Sequence, residues 1–185
     1  NSDWVRVDSN FGNPSDKLLL GTLKEIPVTF LPRHGRNHQH NPTNINYRAN
    51  IEALKITGVT KVLSISAVGS LKENLILGNL VLADQYIDNT KFRGNTFFQN
   101  DIIAHVSLSH PVCPQLRRLV MKSGKDLKIK ITDGSTYVVI EGPQFSTKAE
   151  SNLYRSWGAD IVGMTGMPEM KLAREAEVCF SNLSL

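Results

Sequence analysis

Short apolar runs, each closed by glycine, proline or small polar residues, recur along this chain and are separated by stretches of helical spacing. Lys17 to Leu23 and Ile26 to Leu31 read as paired strands around a short turn. Asn41-Pro42-Thr43-Asn44 is a loop suited to cap a helix from Ile45 to Thr57. Ile51, Ala53 and Leu54 form its buried stripe, and Gly58 ends it. Val59 to Ser66 has few charges and many branched residues, the pattern of a buried parallel strand. It closes in the small-residue turn Ser66-Ala67-Val68-Gly69-Ser70. Leu80 to Ile87, introduced by Gly78-Asn79, is a further strand.

Beyond Ile87 the periodicity is lost. Asp88 to His110 is polar, aromatic and irregular, and a loop of that length inside a compact domain is functional or mobile. Pro114 to Lys122 opens a helix with proline in its first turn. Thr136 to Ile140 is a strand ending in Glu141-Gly142-Pro143. Thr147-Lys148-Ala149-Glu150 is a capping-box pattern, followed by Ala149, Leu153 and Trp157 at helical spacing. Ala159 to Val162 is a short strand, Pro168 to Ala176 a helix, and Val178 to Leu185 a last apolar strand. Strands alternating with helices predict an α/β sandwich.

At 185 residues the chain supplies one core, and a single domain is the natural count. The net charge of +4 can draw an anionic small molecule. Its basic residues are scattered rather than clustered, which speaks against a nucleic-acid surface. No apolar run approaches membrane-spanning length. Cys113 and Cys179 lie in different segments, which argues against a disulfide framework or a cysteine zinc site and for two inert apolar fillers. The start, Asn1-Ser2-Asp3-Trp4, reads as neither a signal peptide nor an ordinary translation start. A cytoplasmic protein, lacking its true N-terminus, is expected.

The richest chemistry lies in Pro32-Arg33-His34-Gly35-Arg36-Asn37-His38, directly after the apolar run Val28-Thr29-Phe30-Leu31. Arginine offers a planar fork of donors that matches phosphate oxygens, and glycine lets backbone approach a ligand. Two other strands end in hydroxyl-bearing segments, Ser66-Ala67 and Met164-Thr165. Ligands of open α/β sheets sit outside the carboxyl ends of the strands. Arg33, His34, Ser66, Ala67 and Thr165 are therefore expected to converge on one anion. Neither a GxxxxGK[ST] loop nor a GxGxxG turn is present, which weakens a nucleoside-triphosphate or dinucleotide reading.

Arg33-His34-Gly35-Arg36, Asn46-Tyr47-Arg48-Ala49-Asn50, Ser66-Ala67-Val68-Gly69-Ser70, Glu141-Gly142-Pro143-Gln144-Phe145-Ser146 and Gly163-Met164-Thr165-Gly166-Met167-Pro168-Glu169 together resemble the trimeric purine nucleoside phosphorylases. The resemblance runs in order through nearly the whole chain. It implies a three-layer sandwich around a central mixed sheet. It implies phosphate binding by Arg33, His34, Ser66, Ala67 and Thr165, Met164 beneath the ribose, Phe145 near the base, and Ser146 at the position that separates substrate classes. Where the purine nucleoside phosphorylases proper usually carry glutamate, this chain has Ser146, which favours the branch acting on S-methyl-5'-thioadenosine. His105 matches a residue that reaches across a subunit interface to the 5' pocket. The implied reaction is phosphorolysis with inorganic phosphate as co-substrate and no cofactor, in a homotrimer or a dimer of trimers. The family's first-strand phosphate loop and its purine-holding aspartates have no counterpart between residues 1 and 185. The resemblance thus implies a shortened chain, catalytically silent as given, with its catalytic aspartates beyond Leu185. A phosphorylase for methylthioinosine or inosine, or an inactive truncated homologue, are the alternatives.

Several residues support blander readings. His34, His38 and His40 can mark a metal site, but no carboxylate or cysteine lies near them in sequence, and loop or channel roles fit better. Arg36 is either a ligand or a solvated charge. Met164 and Met167 suit a plain core. Glu141 is either a general base or a cap for neighbouring N–H groups. Ser66 and Thr165, taken alone, read as strand-end hydrogen-bonders. Trp4 and Trp157 read as packing residues.

Overall fold

Tyr137 and Val139 point to one side of their strand and Val138 and Ile140 to the other, and all four are buried. The computed structural model, which describes residues 2–99 and 102–185, explains this alternation. The strand is β7 (Ile131–Ile140), inside a six-stranded mixed sheet of order β4-β9-β6-β7-β8-β5. The other strands are β4 (Lys61–Ser66), β5 (Gly69–Ser70), β6 (Leu80–Asn89), β8 (Ile161–Gly163) and β9 (Cys179–Ser184). Neighbouring strands are parallel except where β9 meets β6 and β5 meets β8.

One face of this sheet packs against α1 (Tyr47–Ile56) and α4 (Gly166–Glu175), with Ile51, Leu54, Met170 and Leu172 filling the space. The other face carries a smaller cluster in which Tyr154 of α3 (Lys148–Ser156) packs on Val138 and Ile140. The central sheet with helices on both faces is the expected three-layer arrangement. A fourth helix, α2 (Pro114–Asp126), lies against β7 and β9.

The predicted pairing of the first two strands is found, β2 (Leu18–Leu23) against β3 (Ile26–Phe30), but not in the central sheet. With β1 (Ser2–Val5) they form a separate antiparallel sheet of order β1-β2-β3. Leu18, fully buried, ties that sheet into the core beside Ile51. Strand β4 also departs from expectation. It is an edge strand, and Leu63 and Ile65 on its outer face are 42% and 50% exposed. Its few charges reflect an apolar outward face rather than burial on both sides.

Helix ends follow local chemistry. Asn46, not the loop at 41–44, caps α1, its side chain accepting from Ala49 N–H at 3.1 Å. The Thr147–Glu150 capping box forms in both directions. Met167 interrupts the first turn of α4, so regular helix begins at Pro168, as predicted. Among the described residues no helix is long and apolar enough to cross a membrane.

The cysteines correct the sequence reading. Cys113, at the N-cap of α2, and Cys179, first residue of β9, form a disulfide with Cα atoms 5.2 Å apart. Cys113 N–H donates to Phe180 O at 2.8 Å, which brings the two segments side by side. The cysteines are 66 residues apart in sequence, so no local pattern announces the pair. In chain-entropy terms, closing a loop of that size contributes about 4 kcal/mol.

Candidate active site

Arg33 follows β3, Ser66 ends β4, and Thr165 is the N-cap of α4. The fold brings these three together. The Arg33 guanidinium is largely buried and uses all three nitrogens. Nε donates to Glu169 Oε1 at 3.0 Å and Nη1 to Ile65 O at 3.0 Å. Nη1 also faces the hydroxyls of Ser66 and Thr165, each at 3.2 Å, while Nη2 donates to Ser64 Oγ at 2.5 Å. The two hydroxyl oxygens lie 3.3 Å from each other. Because β3 belongs to the separate sheet, the guanidinium reaches the strand ends of the central sheet from outside it.

Glu169, 5% exposed, makes this placement tenable. A guanidinium buried without a counter-ion is strongly disfavoured. Glu169 supplies the charge through Oε1 and accepts from Ser64 Oγ through Oε2 at 2.7 Å. It was not singled out from sequence as a site residue, although it closes the Gly163–Glu169 motif. Its partner lies 136 residues away.

His34 sits beside this group with different partners. Its Nδ1 lies 2.8 Å from His40 O and its ring stacks on His38 at 4.5 Å. A carbonyl only accepts, so Nδ1 carries the proton. Burial holds the imidazole below its ordinary pKa. The three loop histidines do not converge, since His40 Nε2 turns to Ser15 O at 3.1 Å. Among the described residues no histidine, cysteine, aspartate and glutamate group is arranged to hold a metal. Ala67 is exposed directly after Ser66. Arg36 pairs with Asp16 at 2.9 Å and lies over the Trp4 ring at 4.3 Å, anchored rather than freely solvated. Trp4 and Trp157, 40% and 44% exposed, pack at the surface, Trp4 under Arg36 and Trp157 on Tyr154 at 5.5 Å.

A second group is built around Arg93, whose side chain is only 1% exposed. It rises from the irregular segment after β6 and gathers the ends of two central strands. Nη1 donates to Met164 O at 2.5 Å, Met167 O at 2.6 Å and Tyr47 Oη at 3.1 Å. Nη2 donates to Glu141 O at 2.6 Å, and Nε to Glu141 Oε1 at 3.2 Å. Glu141 also accepts from Lys91 N–H at 2.6 Å and Thr43 Oγ1 at 2.7 Å. Burial alone would raise its pKa, but these hydrogen bonds and the Arg93 charge hold it below the usual carboxylate range. Of the two readings for Glu141, the capping one describes its contacts. No sequence signal marked Arg93, which sits in a stretch without periodicity.

Met164 lies against Gly142, where a Cβ would come within 2.5 Å of Sδ. Gly142 has φ +68°, so both backbone and space require glycine there. Met167, 3% exposed, is core. Ser146 Oγ lies 2.8 Å from Ser151 Oγ. Phe145 is 90% exposed, and His105 is exposed as well, so the fold of one chain does not seat either against the rest of the site.

The chain matches the family model of the phosphorylase superfamily over residues 4–185. It is 49% identical over 182 residues to S-methyl-5'-thioadenosine phosphorylase of Cereibacter sphaeroides, covering 98% of this chain and 63% of that protein. It is 53% identical to the Rhodospirillum rubrum protein of the same name, with 98% and 62% covered. A methylthioadenosine phosphorylase from an antarctic soil metagenomic library superposes with a TM-score of 0.98 at 46% identity, over 100% of this chain and 66% of that one. For the Schistosoma mansoni methylthioadenosine phosphorylase in complex with adenine the TM-score is 0.97 at 33% identity, over 99% and 74%. The chain spans 62–64% of the length of the first curated relatives it matches. Alike in sequence and in backbone course over almost its whole length, the chain belongs to the phosphorylase superfamily.

Proposed function

We propose that the protein carries out phosphorolysis of S-methyl-5'-thioadenosine, giving adenine and 5-methylthioribose 1-phosphate. The observation that carries this reading is the meeting of Arg33, Ser66 and Thr165 within 3.3 Å of one another at the strand ends. Phosphate held there attacks the anomeric carbon as the glycosidic C–N bond lengthens. Positive charge then grows on the ribose, as in glycoside cleavage. A fixed phosphate dianion stabilises that charge and is also the nucleophile, so the protein's contribution is positioning and electrostatics. His34 and Ala67 complete the phosphate group in this reading, Met164 lies under the ribose, and Phe145 and Ser146 face the base. Inorganic phosphate is the co-substrate; no cofactor is required. Such salvage chemistry fits a cytoplasmic enzyme.

Ser146 supports the choice of nucleoside. A serine there, paired to Ser151, puts no carboxylate before the N1–H of a 6-oxopurine. The expected result is faster release of adenine from methylthioadenosine than of hypoxanthine from inosine, both with phosphate. Faster cleavage of inosine overturns the assignment.

A homotrimer belongs to the same reading. Phe92 is 81%, Ile102 66% and Ile103 77% exposed, so the irregular segment holds large apolar side chains out to solvent, as Phe145, 90% exposed, does after β7. Phe97 is the exception among that segment's aromatics, packing on Phe11 at 5.1 Å. Asn100 and Asp101 of the segment lie outside the described residues. His105, exposed in one chain, serves a neighbour's 5' pocket in this arrangement. Light scattering of the complete protein should give three or six protomer masses, and a monomer at micromolar concentration counts against it.

A further inference from the structure

We propose that Asn182 is a positioning residue that sets the direction in which the anion site presents its protons, an inference that rests on the phosphorolysis reading above. Asn182 is fully buried on β9, between β4 and β6. Its Nδ2 lies 3.0 Å from Ser66 Oγ, 3.3 Å from Ser64 O and 3.4 Å from Ser64 Oγ. Its Oδ1 accepts from Ser184 Oγ at 2.6 Å. The amide can face only this way. Turned over, it would set its oxygen against the Ser64 carbonyl, acceptor on acceptor.

The consequence falls on Ser66. A hydroxyl has one proton and two lone pairs. Asn182 Nδ2 and Arg33 Nη1 are both obligate donors, and both point at Ser66 Oγ. Nη1 shares its two protons among Ile65 O, Ser66 Oγ and Thr165 Oγ1, so Asn182 is the donor that holds the inner side of Ser66 and turns its proton away. Its proton goes either to the ligand or to Thr165 Oγ1, 3.3 Å away. Thr165 Oγ1 also receives Arg33 Nη1. When Ser66 donates to it, the Thr165 proton is the one turned outward. In both arrangements the pair offers a donor to the ligand and keeps its lone pairs inside. Asn182 thereby orders a chain of hydroxyls for a ligand that only accepts, such as a phosphate dianion.

Asn182→Asp tests this with nearly unchanged shape. An acceptor then faces Ser66, which donates inward, and the Ser66 proton no longer reaches the anion. In the complete protein, KM for phosphate should rise about 30-fold, the loss of one hydrogen bond to a charged group, while KM for the nucleoside stays nearly constant. The added negative charge could repel phosphate by itself, so Asn182→Asp is also made in a Ser66→Ala background. Acting through Ser66, it should add little there. Asn182→Ala, which removes the donor to Ser66 Oγ without adding charge, should raise KM for phosphate several-fold and decides the matter if the aspartate variant does not fold. An unchanged KM for phosphate, an equal rise in both KM values, or the full effect persisting without Ser66 overturns the inference. A wild-type protein whose nucleoside cleavage needs no phosphate, or does not occur, removes the functional reading and this inference together. Phosphate-dependent wild type with an unaffected aspartate variant removes the inference alone.

Discussion

Replacing Arg33 with methionine is expected to raise KM for phosphate on the order of 100-fold, the loss of one charge-assisted hydrogen bond near the strong end of its range. The same change should destabilise the fold. Glu169 is 5% exposed and would be left as a buried charge without its partner, which typically costs about 3–5 kcal/mol. The two effects have separable origins. Arg33→Met combined with Glu169→Gln removes the charge that Arg33 had compensated, and should recover much of the stability. It should recover none of the phosphate affinity, because the fork is still missing. Arg33→Lys keeps the charge but cannot engage Glu169, Ile65, Ser66 and Ser64 from a single ammonium, so it should lie between. Urea denaturation gives the stabilities and initial rates at varied phosphate give the affinities. A double variant no more stable than Arg33→Met would show that Glu169 is not held in place as a counter-ion.

This separation bears on what the sequence could and could not reveal. Arg33, Ser66 and Thr165 were legible because each stands at or just after an apolar run, where strand ends expose backbone and side chains to a ligand. Their partners were not. Glu169 and Asn182 are buried polar residues inside segments with ordinary helix and strand patterns, and only the fold shows what they touch. Cys113 and Cys179 failed for the same reason, since pairing across 66 residues depends on where α2 meets β9. Strand β1 was missed because every residue in it is exposed, leaving no alternation to read. Strand β5 is two residues long and has no pattern at all. The pairing of β2 with β3 was legible but their separate sheet was not, because pairing of neighbouring strands is a local signal, whereas membership of a sheet is not. Phe145 and His105 are a different case. Their implied roles depend on packing that a single chain does not supply.

Arg93 was the least legible of all, and its removal is expected to have the largest structural effect. Its guanidinium joins the end of β7 through Glu141 O, the segment after β8 through Met164 O, the first turn of α4 through Met167 O, and α1 through Tyr47. Arg93→Met leaves three partly buried carbonyls short of donors and Glu141 without its cation. The expected loss is at least about 3–5 kcal/mol, the range for breaking a buried ion pair, with a further contribution from each orphaned carbonyl. The functional signature should be the reverse of that at Arg33. Met164 and the 141–145 segment lose their anchor, so KM for the nucleoside rises, while Arg33, Ser64, Ser66 and Glu169 keep every bond they make to one another and KM for phosphate changes far less. Arg93→Lys, with three donors in place of five, should restore part of the stability and part of the nucleoside affinity together. Kinetics at a temperature where each variant is fully folded, alongside urea denaturation, check both halves. If Arg93→Met raises KM for phosphate as much as KM for the nucleoside, the two groups of side chains act as one site, and the division drawn between them is wrong.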